Sequence, residues 1–346
     1  MVPTTDYFLK PRTADYFDNL LQNNPDKLFR KYAVHPADSS SDFTMQTSDN
    51  DVWRMRRALK IATDIEAGSV PANKIVGYCH LEKKSRTDPL TTKMEGADCI
   101  FMEVRNNVVP GWVPIYYLPW SPAKVLDLTI PRRNPALTTP QPDIFFTAAI
   151  NGCSIFIQGN SKSPTIFHAG GDPVNNVEGR DSVKIWKQLV STLKDPAKGA
   201  LVAEVSKRDH VQQWDLDPTR PRSTQRALDY EDFLKTNYTL PTATIKSVAP
   251  WGCVFGLRDA NDDWSFYLQE NATITVDTVT GTQTTTTTTT LRGSNIKIGK
   301  DKVATVNVTT SQTFGRPMAF RRIWPNGGGC VTMRAPLPLV LNWSKT

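Results

Sequence analysis

A chain of 346 residues, 39% hydrophobic and 22% charged, can bury a substantial core in one large domain or two ordinary ones, and its composition excludes wholesale disorder and collagen-like repeats. The formal charge of +7 is scattered, with short clusters at 54–60, Arg132–Arg133 and Arg321–Arg322. It reads as a solvated basic surface suited to an acidic partner or a membrane surface, and not as a nucleic-acid patch. No apolar run approaches the roughly 18–20 residues of a membrane span, and MVPTTDYFLKPRTADYF has no apolar h-region, so a soluble chain with no cleavable signal peptide is predicted.

The first ninety residues have the most helical pattern. Thr13–Val34 places Tyr16, Phe17, Leu20, Leu21, Leu28 and Phe29 at helical spacing, with a break expected at Asn24-Pro25. Asp51–Ala67 repeats the pattern with Val52, Met55, Leu59, Ile61 and Ile65, and the polar stretch between the two helices reads as a loop. From Ala97 the character changes. DCIFMEV, GWVPIYYLP and KVLDLTI are short β-branched and aromatic runs bounded by Pro, Gly and Asn, and predict strands.

A strand pair is expected between Ile144 and Ala169, then a helix over Asp181–Leu193, whose Val183, Ile185, Trp186, Leu189, Val190 and Leu193 form one apolar stripe. Tyr230–Leu234 suggests a helical turn. Beyond it, WGCVFGLRDANDDWSFYL predicts a hairpin turning at Ala260–Asp263, and Thr273–Val279 and Val303–Val308 read as strands. The all-threonine run 284–290 is β-compatible, as an exposed edge or a loop. The fold class expected is α+β: a β-sandwich-like core of mixed or antiparallel sheets flanked by helices. A helical region over 1–90, serving targeting or packing on the core, would precede a β-rich catalytic domain over 91–346 that holds a Cys–His hairpin at 144–169.

Five cysteines, widely spaced and without CxxC pairs, and four dispersed histidines give neither a disulfide framework nor a metal-ligand pattern. No metal or organic cofactor is expected. The chemistry-bearing segment is DIFFTAAINGCSIFIQGNSKSPTIFHAGGD, residues 143–172. A two- or four-residue loop centred on Asn160–Ser161 pairs positions whose numbers sum to 321. Cys153 then falls directly opposite His168, on one face, with side chains about 4.5–5.5 Å apart. An imidazole so placed could take the thiol proton and leave a nucleophilic thiolate. Asn151-Gly152 allows a tight turn, which would expose the backbone N–H groups near Gly152 and Cys153 as oxyanion donors.

Each signal has a plainer reading. A strand cysteine is commonly a small hydrophobe, and a lone histidine a satisfied core residue. Cys253, after Trp251-Gly252, has no histidine across a plausible hairpin and reads as core. Trp112, Tyr116, Tyr117 and Trp120 read as core or sheet-face aromatics, Cys330 as a loop thiol, and Gly170-Gly171-Asp172 as a turn.

Thr147-Ala-Ala-Ile-Asn-Gly-Cys153 followed by His168 resembles the signature of the bacterial glutamine deamidases, including the cytotoxic necrotizing factors, the Burkholderia lethal factor and the chemoreceptor deamidase of chemotaxis. The match covers about thirty residues, with Ile150 where Leu is usual; the Cys-to-His interval is similar to the necrotizing-factor branch. The resemblance implies Cys153 as nucleophile, His168 as base and Thr147 as third residue. It implies a secreted toxin or effector, monomeric, acting in the target-cell cytoplasm. Its substrate would be a regulatory glutamine of a host protein such as a small GTPase or translation factor, deamidated or transamidated through a thioester. A cysteine peptidase or other acyl hydrolase with the same dyad, and a non-catalytic β-rich interaction protein, are the alternatives.

Overall fold

The computed structural model describes residues 14–36, 76–83, 99–120, 125–136, 141–170, 186–187, 190–191, 196–206, 225–237, 243–287, 302–325 and 331–332. The helix expected over Asp51–Ala67, the threonines after 287 and Cys330 lie outside them.

Two short helices open the described chain, α1 (Ala14–Asn23) and α2 (Pro25–Lys31). They meet where the sequence breaks. The Asn24 side chain accepts from the Lys27 N–H at 3.2 Å, and Pro25 stands in the first turn of α2, where no N–H is needed. Thirteen strands follow among the described residues. They are β1 (Val34–Pro36), β2 (Val76–Lys83), β3 (Ile100–Arg105), β4 (Val113–Leu118), β5 (Val125–Thr129), β6 (Ile144–Thr147) and β7 (Ser154–Gln158). Then come β8 (Thr165–Ala169), β9 (Leu201–Val205), β10 (Ala243–Arg258), β11 (Trp264–Thr287), β12 (Lys302–Trp324) and β13 (Val331–Thr332). A longer helix, α3 (Gln225–Asn237), extends the turn expected at Tyr230–Leu234.

The strands form two sheets: an eight-stranded one in the order β1-β3-β2-β4-β6-β10-β11-β12 and a five-stranded one in the order β13-β9-β7-β8-β5. The pairing is antiparallel except for β1 with β3, β4 with β6 and β9 with β13. The fold is therefore α+β, built on a mostly antiparallel sandwich with flanking helices. Strands β1 and β2, from the segment read as a helical N-terminal region, share the larger sheet with β3 and β4, so that sheet runs across residue 90.

Side-chain alternation explains why several strands have no polar face. In β4, Val113, Ile115 and Tyr117 face α1 and α2, while Tyr116 and Leu118 face the other sheet. In β10, Cys253 and Phe255 face the helices and Val254 faces inward. A strand covered on both sides reads as a continuous apolar run. The outer face of the smaller sheet carries Phe156, Phe167 and Ala169, closed by Trp186 and Val190 of the helical residues 186–187 and 190–191. Tyr230 and Leu234 of α3 cover Ile274, Val276, Phe314 and Met318 at the base of β11 and β12.

Two buried polar groups tie these layers together, and neither was foreseen from the sequence. The Gln269 amide donates to the Phe29 and Tyr32 carbonyls at 2.5 and 2.7 Å, and its oxygen accepts from the Val34 N–H at 3.1 Å. Glu270 accepts from Tyr230 at 2.9 Å and pairs with Arg321 at 2.7 Å and Arg226 at 3.7 Å, fastening α3 to the sheet. Partners this far apart in sequence carry no local signature.

Candidate functional site

The expected strand pair between 144 and 169 resolves into three strands. β6 belongs to the larger sheet, and the chain crosses to the smaller one before β7. Ile150 fixes the point of departure through a bridge to Gly252, with N–H to carbonyl distances of 2.7 and 2.9 Å. Gly252 can sit there only because it lacks a side chain: a Cβ would lie 2.9 Å from the Gln269 carbonyl. Gly152 then turns the chain in the left-handed region, at φ 95°, a cheap conformation for glycine. Cys153 follows, immediately before β7.

The hairpin of β7 and β8 is present, but its register differs from the expected one. Ile155, not Cys153, stands opposite His168, and the pairs run from Ser154 with Ala169 to Gln158 with Thr165. The loop holds residues 159–164 instead of two or four. The Asn160 side chain accepts from the Lys162 and Ser163 N–H groups at 3.0 and 3.1 Å, an Asx turn that lengthens the connection. The same loop is clamped to the β10–β11 turn. Ser161 donates to Asp263 at 2.5 Å, its carbonyl accepts from the Trp264 N–H at 2.9 Å, and Lys162 reaches both Asp263 at 3.0 Å and the Asn261 carbonyl.

A shift of two residues preserves the face. Cys153 lies with Ile155, Ile157 and Ile166 in the core between the sheets, and His168 faces that core between Ile155 on one side and Leu126 of β5 on the other. The thiol and imidazole are diagonal neighbours on one face, a relation that separates Cα positions by about 7–8 Å, not directly opposed.

Both are sheltered: Cys153 is 5% exposed and His168 0%. Neither ring nitrogen of His168 meets a hydrogen-bond partner at good geometry among the described residues. Burial holds its pKa down at about 3, against a smaller opposite pull from the nearby Pro119 and Leu118 carbonyls. A ring so placed is neutral at physiological pH, and its basicity is far below that of a general base matched to pH 7.

Thr147 ends β6 in the other sheet, and its hydroxyl accepts from the Val254 N–H at 3.2 Å. That bond ties β6 to β10. Cys253 is core, as expected, its pKa pushed well up by burial. So is Cys79, where burial and then the Asp18 carboxylate act in the same direction. Tyr116 and Tyr117 are buried.

Among the described residues, no group of three or more His, Cys, Asp or Glu could hold a metal ion, and no helix is long and apolar enough to cross a membrane. The polar cluster that sequence reasoning missed joins Asp18 of α1 to His80 of β2 at 2.6 Å, with the Asp18 carboxylate also accepting from the Leu81 N–H at 2.9 Å. The His80 ring stacks on Trp112, which the Arg105 guanidinium covers at 4.8 Å.

A further exposed feature lies at the far end of the larger sheet. β10 pairs with β11 only as far as Ala243 with Thr278. Among the described residues, β11 and β12 continue as a two-stranded ribbon to Thr287 with Lys302. Its described side chains, 279–284, 305 and 307–313, are exposed, and Val279 and Val308 show 41% and 44% of their surface. No family model and no curated protein matches the chain.

Proposed function

We propose that this chain is a non-catalytic β-rich interaction protein whose sandwich serves as a rigid base for the threonine-rich ribbon of β11 and β12. One observation carries the reading: the ribbon runs past its third strand and exposes its described side chains. A two-stranded hairpin in water is marginal by itself, and an unprotected edge invites pairing. A protein that keeps such an element gains a contact surface from it.

The test replaces residues 280–308 by Asn-Gly, so that a two-residue turn joins Val279 to its register partner Thr309. The shortened chain should keep its melting temperature within about 2 °C, because the excised strands contribute little to the core. In gently lysed expressing cells, the full chain should elute above its 38.7 kDa monomer mass and the shortened chain at its monomer mass. Identical elution positions relative to monomer for both chains overturn the reading.

A second reading, protein glutamine deamidase, draws support from the shared face of Cys153 and His168 beside the Gly152 turn. In it the Cys153 thiolate adds to a glutamine side-chain amide of a host protein such as a small GTPase or translation factor. Ammonia leaves with a proton from His168, and water hydrolyses the thioester to glutamate. The reaction needs the sheltered thiol to reach a macromolecular substrate. Incubation with candidate proteins should then raise a glutamine peptide by about one dalton, and Cys153→Ser should abolish the change.

A further inference from the structure

The ribbon has a chemical peculiarity beyond its exposure. Residues 278–291 and 303–315 contain no charged side chain, in a chain where 22% of residues are charged. Charge returns at both ends of the described ribbon. At the root Asp277 pairs with Lys246 at 3.5 Å, and at the far end Lys302 stands opposite Thr287.

Between those ends the two faces differ. Directly paired strand residues share a face, and successive residues alternate between faces. One row of positions holds the pairs Gly281 with Val308, Gln283 with Val306 and Thr285 with Ala304. The other holds Thr282 with Asn307 and Thr284 with Thr305. From Ala304 to Val308, β12 thus gives only apolar residues to the first row and only polar ones to the second. A bulge creates this sorting. Val279 pairs with Thr309 and Gly281 with Val308, so Thr280 is an extra residue, and its hydroxyl donates to the Val308 carbonyl at 3.2 Å. Without it, Thr282 and Thr284 would fall on the valine row.

We infer that this ribbon crosses a lipid bilayer, as one hairpin of a β-barrel assembled from several copies of the chain. The inference rests on the ribbon reading above and names its partner. Length fits. Thr278 to Thr287 is ten residues, about 33 Å of strand, and a tilt of about 45° turns that into about 23 Å of depth. The apolar band of strand-built membrane proteins is about 25 Å tall. Such strands need no long apolar run: they alternate, one row to lipid and the other to a polar interior.

The need for several copies follows from the backbone. Past Thr278, among the described residues, β11 and β12 pair only with each other. Lipid offers no partner to the remaining N–H and C=O groups, so strands are stable there only in a closed barrel. Ribbons that enter side by side in one direction set β12 of each copy against β11 of the next. Every Asp277 then lies at one depth and every Lys302 at another. The body's charge of +7 draws the chain to an anionic surface before insertion.

Dye release from vesicles of phosphatidylcholine and phosphatidylserine, with micromolar purified full chain in physiological salt, tests the proposal. The expected result is release that rises steeply with protein concentration, as assembly from several copies requires. Val308→Asp, a charge on the lipid-facing row, should cut release by about tenfold or more. Asn307→Asp, one position along the same strand but on the interior row, should leave it within about threefold. Both positions are exposed, so both variants should keep the melting temperature of the unmodified chain.

Vesicles left intact by the full chain overturn insertion. So does release that Val308→Asp leaves unchanged, that both variants lose alike, or that survives replacement of residues 280–308 by Asn-Gly. A chain that leaves vesicles intact, yet elutes above monomer from lysate only when its ribbon is present, sinks insertion and leaves the ribbon reading standing.

Discussion

The burial of His168 makes a quantitative prediction about acid. The unfolded chain holds this ring at an ordinary pKa near 6.5, whereas the folded protein holds it at about 3. Between those values the unfolded state binds a proton that the folded state refuses, so stability is full above about pH 6.5 and drains away as pH falls towards 3. At pH 5 the unfolded state gains RT ln(1 + 10^1.5), about 2 kcal/mol, while at pH 7.5 it gains less than about 0.1 kcal/mol.

His168→Leu removes the titrating ring and keeps an apolar group between Leu126 and Ile155. Urea unfolding of both proteins at pH 7.5 and pH 5.0 gives a stability difference at each pH. The variant should gain about 2 kcal/mol on the unmodified protein between the two, with contributions common to both cancelling. A difference that stays constant within about 0.5 kcal/mol would mean that His168 is solvated or paired in the folded protein, and would refute its placement in the inter-sheet core.

Asp127 titrates in the opposite sense. Burial raises its carboxyl to about 6, against the pull of Lys198, so the folded state holds an extra proton and stability falls as pH rises from about 4 to 6. Asp127→Asn should therefore be more favourable at pH 7.5 than at pH 4 by about 1–2 kcal/mol, discounted for partial exposure, in the same urea assay. Gln269→Leu strands the Phe29 and Tyr32 carbonyls and the Val34 N–H, and should cost about 2–4 kcal/mol by urea unfolding. Gly252→Ala drives a methyl against the Gln269 carbonyl and should cost about 1–3 kcal/mol, read as a lower melting temperature. With iodoacetamide at pH 7.5, peptide mapping should find half-buried Cys99 labelled well before Cys153; rapid labelling of Cys153 would favour the deamidase reading.

Strands in this chain are readable wherever β-branched and aromatic residues run between turn formers. The break before α2, β3 to β5, and the hairpin turning near Ala260–Asp263 all follow from such local signals. Register was not legible. The loop after β7 has a different length from the one expected because Ser161 and Lys162 bind Asp263, about a hundred positions away, and that contact decides which residue faces His168. The place of the 144–147 strand was hidden for a related reason. IFFT is apolar enough to pair within either sheet, and only its partners β4 and β10 put it in the larger one. The Cys–His pair was therefore located on the correct face but offset, and the depth of its burial depends on a second sheet that no local pattern announces.

The glutamine at position 269 has a consequence for the order in which the chain can mature. The backbone groups it satisfies belong to residues 29–34, and the strand that carries it emerges from the ribosome some 240 positions later. Until then the opening helices have neither their polar anchor nor the phenylalanine at 255 that packs on Phe29. Synthesis thus leaves the amino-terminal segment waiting for the carboxy-terminal strands, a late closure that favours slow folding and a need for shelter during translation.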